Sequence, residues 1–146
     1  MNDEWGTPEE IFELAHKIEP EFTFDAACNK TNCLIKEQVW FGDSLDLEWE
    51  TQTSWSRTAI WCNPPYSRGN IGKFIDKALY EAKENGVRSV FLVRFDPTAK
   101  WFKKAFNSGY CDVYMIPKRI KFVGAKDSYP FPSCFIHFQP KDNNGR

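Results

Sequence analysis

The sequence predicts an α/β domain: a mostly parallel sheet with helices on both faces. Two observations lead there. Short apolar runs that read as buried strands alternate with longer segments of helical periodicity. Two of those strands also end on polar residues, Asp25 and Asn63, which is where an open α/β sheet collects its ligands.

In chain order, Thr7-Pro8-Glu9-Glu10 opens the first helix, with Thr7 as N-cap, Pro8 at the first position and acids behind it. Ile11, Leu14, Ala15 and Ile18 follow on one face. Phe22 to Ala27 alternates and then shrinks to small residues, a strand entering a tight turn. Thr58 to Cys62 is a short buried strand stopped by Asn63-Pro64-Pro65. From about Ile71 to Asn85 a helix turns Phe74, Ala78, Leu79 and Ala82 inward, and Gly86 stops it. Ser89 to Val93 is a buried strand, Thr98 to Asn107 a short helix, and Cys111–Ile116 and Cys134–Phe138 are strands separated by a polar loop.

The 146 residues, 42% of them hydrophobic, suit one core. One domain over 1–139 with a disordered tail over 140–146 is therefore expected. The formal charge of -1 hides an asymmetry. Residues 1–56 hold 3 Lys/Arg against 13 Asp/Glu, while residues 57–146 hold 16 against 7, a half basic enough to face phosphates. The five cysteines are odd in number and scattered, with no C-x-x-C and no clustered Cys/His set to suggest zinc. Reduced thiols, no metal and a cytoplasmic location are the expectation. No leader-like segment and no 18-residue apolar run is present, so neither export nor a membrane span is expected.

The residues that carry chemistry are Asn63-Pro64-Pro65-Tyr66. Two prolines fix φ near -65° and remove two backbone donors, leaving a rigid turn that displays carbonyl oxygens. The Asn63 amide oxygen and the Pro64 carbonyl can converge on one amino group, with Tyr66 as a flat face beside them. An aromatic amine is a poor nucleophile because its lone pair is delocalised. Two acceptors holding its hydrogens favour the pyramidal geometry that can attack a sulfonium methyl. Such positioning supplies roughly 7–11 kcal/mol of barrier reduction.

That tetrapeptide resembles the catalytic motif of amino-directed methyltransferases. Further matches resemble one family, the phage-type Dam DNA N-6-adenine methyltransferases: Trp5-Gly6-Thr7-Pro8, Phe24-Asp25-Ala26-Ala27-Cys28 with Asn32, and Gly42-Asp43-Ser44-Leu45 before Trp49. Trp61 through Gly69, Lys100-Trp101-Phe102, Lys118 through Phe122 and Pro130-Phe131-Pro132-Ser133 extend the likeness to roughly residues 5–138. The resemblance implies an abbreviated class I (Rossmann-like) methyltransferase sheet, S-adenosylmethionine as donor, and adenine in double-stranded DNA as acceptor. It also implies a bacterial or phage-infected cell as the setting, and its name suggests GATC as target.

Residue by residue, Asn63, Pro64, Pro65 and Tyr66 match the catalytic turn. Thr7 is similar to the element that meets the cofactor's methionine end, with Trp5 as a shield or a helix staple. Asp25, with Ala27 in the same turn, resembles the acidic strand-end of the cofactor site, and Asp43 the later acid that holds ribose or adenine. The turn Asp25-Ala26-Ala27-Cys28-Asn29 departs from the Gly-rich loop that methyltransferases usually place after the first strand, and only about 35 residues separate it from Asn63, so the cofactor half is abbreviated. Arg68, Arg119, Lys121 and Lys126, in the two longest loops, are the candidate DNA contacts. Arg94 and Asp96 are expected to pair with each other. Methylation of an RNA base or a protein glutamine, and a non-catalytic DNA-binding protein on the same scaffold, are the competing readings.

Overall fold

The computed structural model describes residues 5–36, 38, 40–53, 58–67 and 69–141. Helix α1 (Glu9–Ala15) precedes strand β1 (Phe22–Asp25), which runs into a two-residue strand β2 (Ala27–Cys28) paired with β3 (Gly42–Asp43). Strand β4 (Ala59–Cys62) leads through helix α2 (Asn70–Asn85) to β5 (Arg88–Arg94). Helix α3 (Lys100–Asn107), β6 (Cys111–Met115) and β7 (Ser133–Phe138) complete the chain.

Five strands form one sheet in the order β1-β4-β5-β7-β6. The expected mostly parallel sheet is corrected to a mixed one: β1–β4 and β4–β5 are parallel, while β5–β7 and β6–β7 are antiparallel. The reason lies in the connections. Helix α2 is long enough to carry the chain back across the sheet, as a parallel pairing demands, whereas no helix intervenes between β6 and β7 and the chain simply reverses.

Alternation along the strands splits the core in two. Ile60, Cys62, Phe91 and Val93 face α2 and α3, where Phe74, Ala78, Phe102 and Ala105 close the layer. Trp61, Val90 and Leu92 face the other way, against Ile11 and Ala15 of α1 and against Ile120, Phe122 and Tyr129 of the 116–132 loop. Helices therefore cover both faces, as expected. Gly86 ends α2 in the left-handed conformation, φ 67°, a geometry that only glycine adopts without strain. Among the inward residues expected on α2, Leu79 is only partly buried, and Ile75 takes its place in the core.

The first helix starts differently from expectation. Pro8, not Thr7, is the N-cap, and no side chain caps the helix. Glu9 and Glu10 supply the first-turn negative charge instead. Thr7 is used elsewhere.

Candidate active site

The carboxyl ends of β1, β4 and β5 come out on one edge of the sheet, and two adjoining clefts open there. The first is lined by Trp5, Gly6, Thr7, Asp25, Trp61, Asn63, Pro64 and Tyr66 among others. The second runs along Cys28, Asn29, Gly42, Asp43 and Pro65. Ala27, Asn32 and Asn63 line both. The fold thus brings together all four residues of the Asn-Pro-Pro-Tyr turn and all five cofactor candidates, Trp5, Thr7, Asp25, Ala27 and Asp43.

Asn63 is the first residue beyond β4, so the strand aims its amide at the sheet edge. Its Nδ2 donates to the Thr7 hydroxyl at 3.2 Å, across 56 residues of sequence. Its Oδ1 is buried and has no partner among the described residues. A buried acceptor without a donor costs about 1–3 kcal/mol, which a ligand N–H would recover. Tyr66 donates its hydroxyl to the Leu92 carbonyl of β5 at 3.2 Å, and burial pushes that hydroxyl well above its ordinary pKa. The phenol is therefore an anchor that fixes the ring.

Asp25, 3% exposed, sits at the end of β1. Its two carboxylate oxygens accept from the backbone N–H groups of Ala27 (3.3 Å) and Leu34 (3.2 Å). Desolvation outweighs both bonds and pushes its pKa up to about 7. The Gln38 side chain clamps the Asp25 backbone from both sides, accepting from its N–H at 2.7 Å and donating to its carbonyl at 2.9 Å. Asp43 is exposed on β3, where its carboxylate takes the Leu45 N–H at 3.0 Å. Ser44 and Trp49 hold that strand in place: the Trp49 indole donates to Ser44 Oγ at 3.0 Å, and Ser44 Oγ donates to the Ala26 carbonyl at 2.6 Å. Trp5 lines the first cleft and stacks on Phe122, with centroids 6.0 Å apart.

Asn32 is a lining residue that sequence reasoning quoted without giving it a role. It exchanges side-chain-to-backbone bonds with Asn29, 2.8 and 2.9 Å, and so shapes the turn after β2. The signal was the Asn-x-x-Asn spacing directly behind a strand-ending aspartate. Scattered in sequence, Cys28 and Cys33 also meet Asp25, with their ligand atoms within 4.8 Å of one another. Burial pushes both thiols up, so they stand protonated at neutral pH.

Arg119, Lys121 and Lys126 are exposed on the 116–132 loop, at the same sheet edge as the clefts; Arg68 lies outside the described residues. Arg119 donates to the Pro130 carbonyl, and among the described residues neither Lys121 nor Lys126 makes an ion pair. Arg94 and Asp96 do pair, at 3.2 Å.

The sequence model of the DNA N-6-adenine-methyltransferase (Dam) family matches residues 1–134, nearly the whole chain. The chain belongs to that family. It is similar to the DNA N-6-adenine-methyltransferase of Haemophilus phage HP1 (strain HP1c1), 27% identical over 145 residues, which are 95% of this chain and 80% of the phage protein. It is also similar to the DNA N-6-adenine-methyltransferase of Escherichia phage T1, 27% identical over 106 residues, or 72% of this chain and 41% of that protein. Dam-family membership makes the chain an enzyme. No helix among the described residues is long and apolar enough to cross a membrane.

Proposed function

We propose that this enzyme transfers a methyl group from S-adenosylmethionine to the exocyclic amine of adenine in double-stranded DNA, with the adenine turned out of the helix into the Asn63–Tyr66 cleft. The observation that carries the reading is the unpartnered, buried Asn63 Oδ1 in the wall shared by two clefts. The strand order β1-β4-β5-β7-β6, with ligand clefts at the carboxyl ends of the parallel strands, supports an abbreviated class I methyltransferase sheet. The setting that follows is the cytoplasm of a bacterial or phage-infected cell, where DNA is accessible.

S-adenosylmethionine, when bound, supplies an electrophilic methyl on a sulfonium. The residues present fit it. Thr7, with Trp5 beside it, would meet its methionine end, and Asp25, Ala27 and Asp43 would line the rest, where a carboxylate suits ribose hydroxyl donors. Asn63 Oδ1 accepts one hydrogen of the adenine amine and the Pro64 carbonyl the other, which turns the nitrogen lone pair out of the ring system. Thr7 holds the Asn63 amide so that Oδ1, not Nδ2, is left for the base. The Tyr66 ring, fixed through Leu92, stacks on the extruded base and contributes about 1–3 kcal/mol.

Asn63→Ala tests this. Methyl transfer to DNA from labelled cofactor should fall by at least 100-fold, while calorimetric cofactor binding stays within a few-fold of wild type. Substantial turnover by the variant would overturn the role.

A further inference from the structure

The 116–132 loop spans from the end of β6 to the start of β7 and is tied down along its length. Gly6 and Val123 exchange two backbone bonds, 3.0 and 2.9 Å, beside the cleft residue Thr7. Tyr129 N–H donates to the Ile120 carbonyl at 2.7 Å, and Ile120, Phe122 and Tyr129 are buried. Pro132 accepts from Phe95 N–H, just past the end of β5, at 2.8 Å, and the Arg119 guanidinium holds the Pro130 carbonyl. Against this anchored frame two large apolar side chains of the loop are exposed, Val123 at 60% and Phe131 at 57%, and Phe131 is the aromatic one. Its ring meets the Tyr129 ring edge-on, with centroids 5.5 Å apart at 67°, and two residues later Ser133 pairs with Arg94 at the carboxyl end of β5, the sheet edge where the clefts open. Pro130 and Pro132 fix their own φ, and Pro132 confines the Phe131 backbone to the extended region, so less backbone freedom is left to lose. Arg119, Lys121 and Lys126 are exposed on the same loop, Arg119 beside Phe131 through its bond to the Pro130 carbonyl, while Lys118 is paired with Glu10 at 2.8 Å.

A phenylalanine held out of the core, on a cation-bearing loop at the sheet edge where the clefts open, has the chemistry of a wedge for stacked bases. We propose that Phe131 enters the duplex and fills the gap left by the extruded adenine, stacking between the neighbouring base pairs. The inference rests on the adenine-methylation reading above and deepens it. Tyr66 would then receive the base, Phe131 would replace it in the helix, and the lysines would grip the flanking phosphates.

The test uses Phe131→Ala and Phe131→Trp on a duplex carrying a site that wild type methylates. One form has the target adenine paired, a second has it opposite a mismatch, and a third has 2-aminopurine in its place. Phe131→Ala should lower kcat/KM on the paired duplex by about 5- to 150-fold. It should also abolish most of the 2-aminopurine fluorescence rise on binding, and the defect should shrink several-fold on the mismatched duplex, where extrusion costs less. Phe131→Trp should restore both signals. Equal losses on both duplexes, unchanged kcat/KM, or a change in oligomeric state as the main effect would overturn the wedge while leaving the methyltransferase reading intact. Failure of wild type to methylate adenine in any DNA would overturn that reading, and the wedge with it.

Discussion

At the scale of single residues, the protonation of Asp25 has the sharpest consequence. Its pKa of about 7 against an ordinary value of 3.8 means the folded protein prefers the neutral acid. The stabilisation from that preference is present below pH 4 and is lost as the pH rises toward 7, because the folded state then holds a proton that the unfolded chain has given up. Cofactor binding runs in the opposite direction, since a carboxylate that accepts from hydroxyl or ammonium donors must be ionised. Affinity for S-adenosylmethionine should therefore rise about tenfold between pH 6 and pH 8. Calorimetry across that range checks it, and Asp25→Asn should bind more weakly with a flat profile. A wild-type profile as flat as the variant's would remove Asp25 from the cofactor site.

At the scale of elements, two anchors decide where the site sits. The first is the buried side chain of Glu19, four residues past the end of α1. Its Oε2 accepts from Arg88 of β5 and from His137 of β7, both at 2.6 Å. Burial alone would push that carboxyl up, but the bonds from His137 and Arg88 outweigh it and hold it below the ordinary carboxylate value. Its contribution is thus present at neutral pH and lost as the pH falls through the lowered pKa. Glu19→Ala takes the buried partner from His137 and leaves Arg88 its bond to Gln139 at 3.1 Å, and should cost about 3–5 kcal/mol in urea unfolding at pH 7. The difference from wild type should narrow toward pH 3. An equal loss at both pH values would mean that packing, not charge, is what Glu19 supplies.

The second anchor is the 116–132 loop. Each lysine that meets a phosphate releases a condensed counterion, so log affinity should fall with log salt by about 0.9 per contact. Lys121→Ala and Lys126→Ala should each reduce that slope by about one unit and weaken all duplexes alike. Fluorescence anisotropy over a salt series reads this directly, and a wild-type slope in both variants would put the phosphates elsewhere.

At the scale of the whole molecule, much was legible before any coordinate. Period-two and period-3.6 apolar patterns located strands and helices, because burial of one face constrains which residues can occupy it. Asn63-Pro64-Pro65-Tyr66 announced itself because proline geometry is local and needs no partner to be understood. The mixed sheet was not legible: β7 pairs between β5 and β6, and nothing within Ser133–Phe138 says which neighbours it takes. Thr7 was misread for the same reason. Its local signals suit a helix cap, but its hydroxyl binds an asparagine 56 positions away. Asn32 and the Cys28–Cys33 approach also depend on how β2 and its following turn fold back. By itself the sequence determined the element types, the acidic and basic halves, and the rigid turn that carries the candidate chemistry, since each is fixed by local sterics or by composition. Only the tertiary structure decided the strand order, the partner of Thr7, the buried Glu19 cluster and the unpartnered Asn63 acceptor, because each depends on groups that become neighbours only when distant segments pack together.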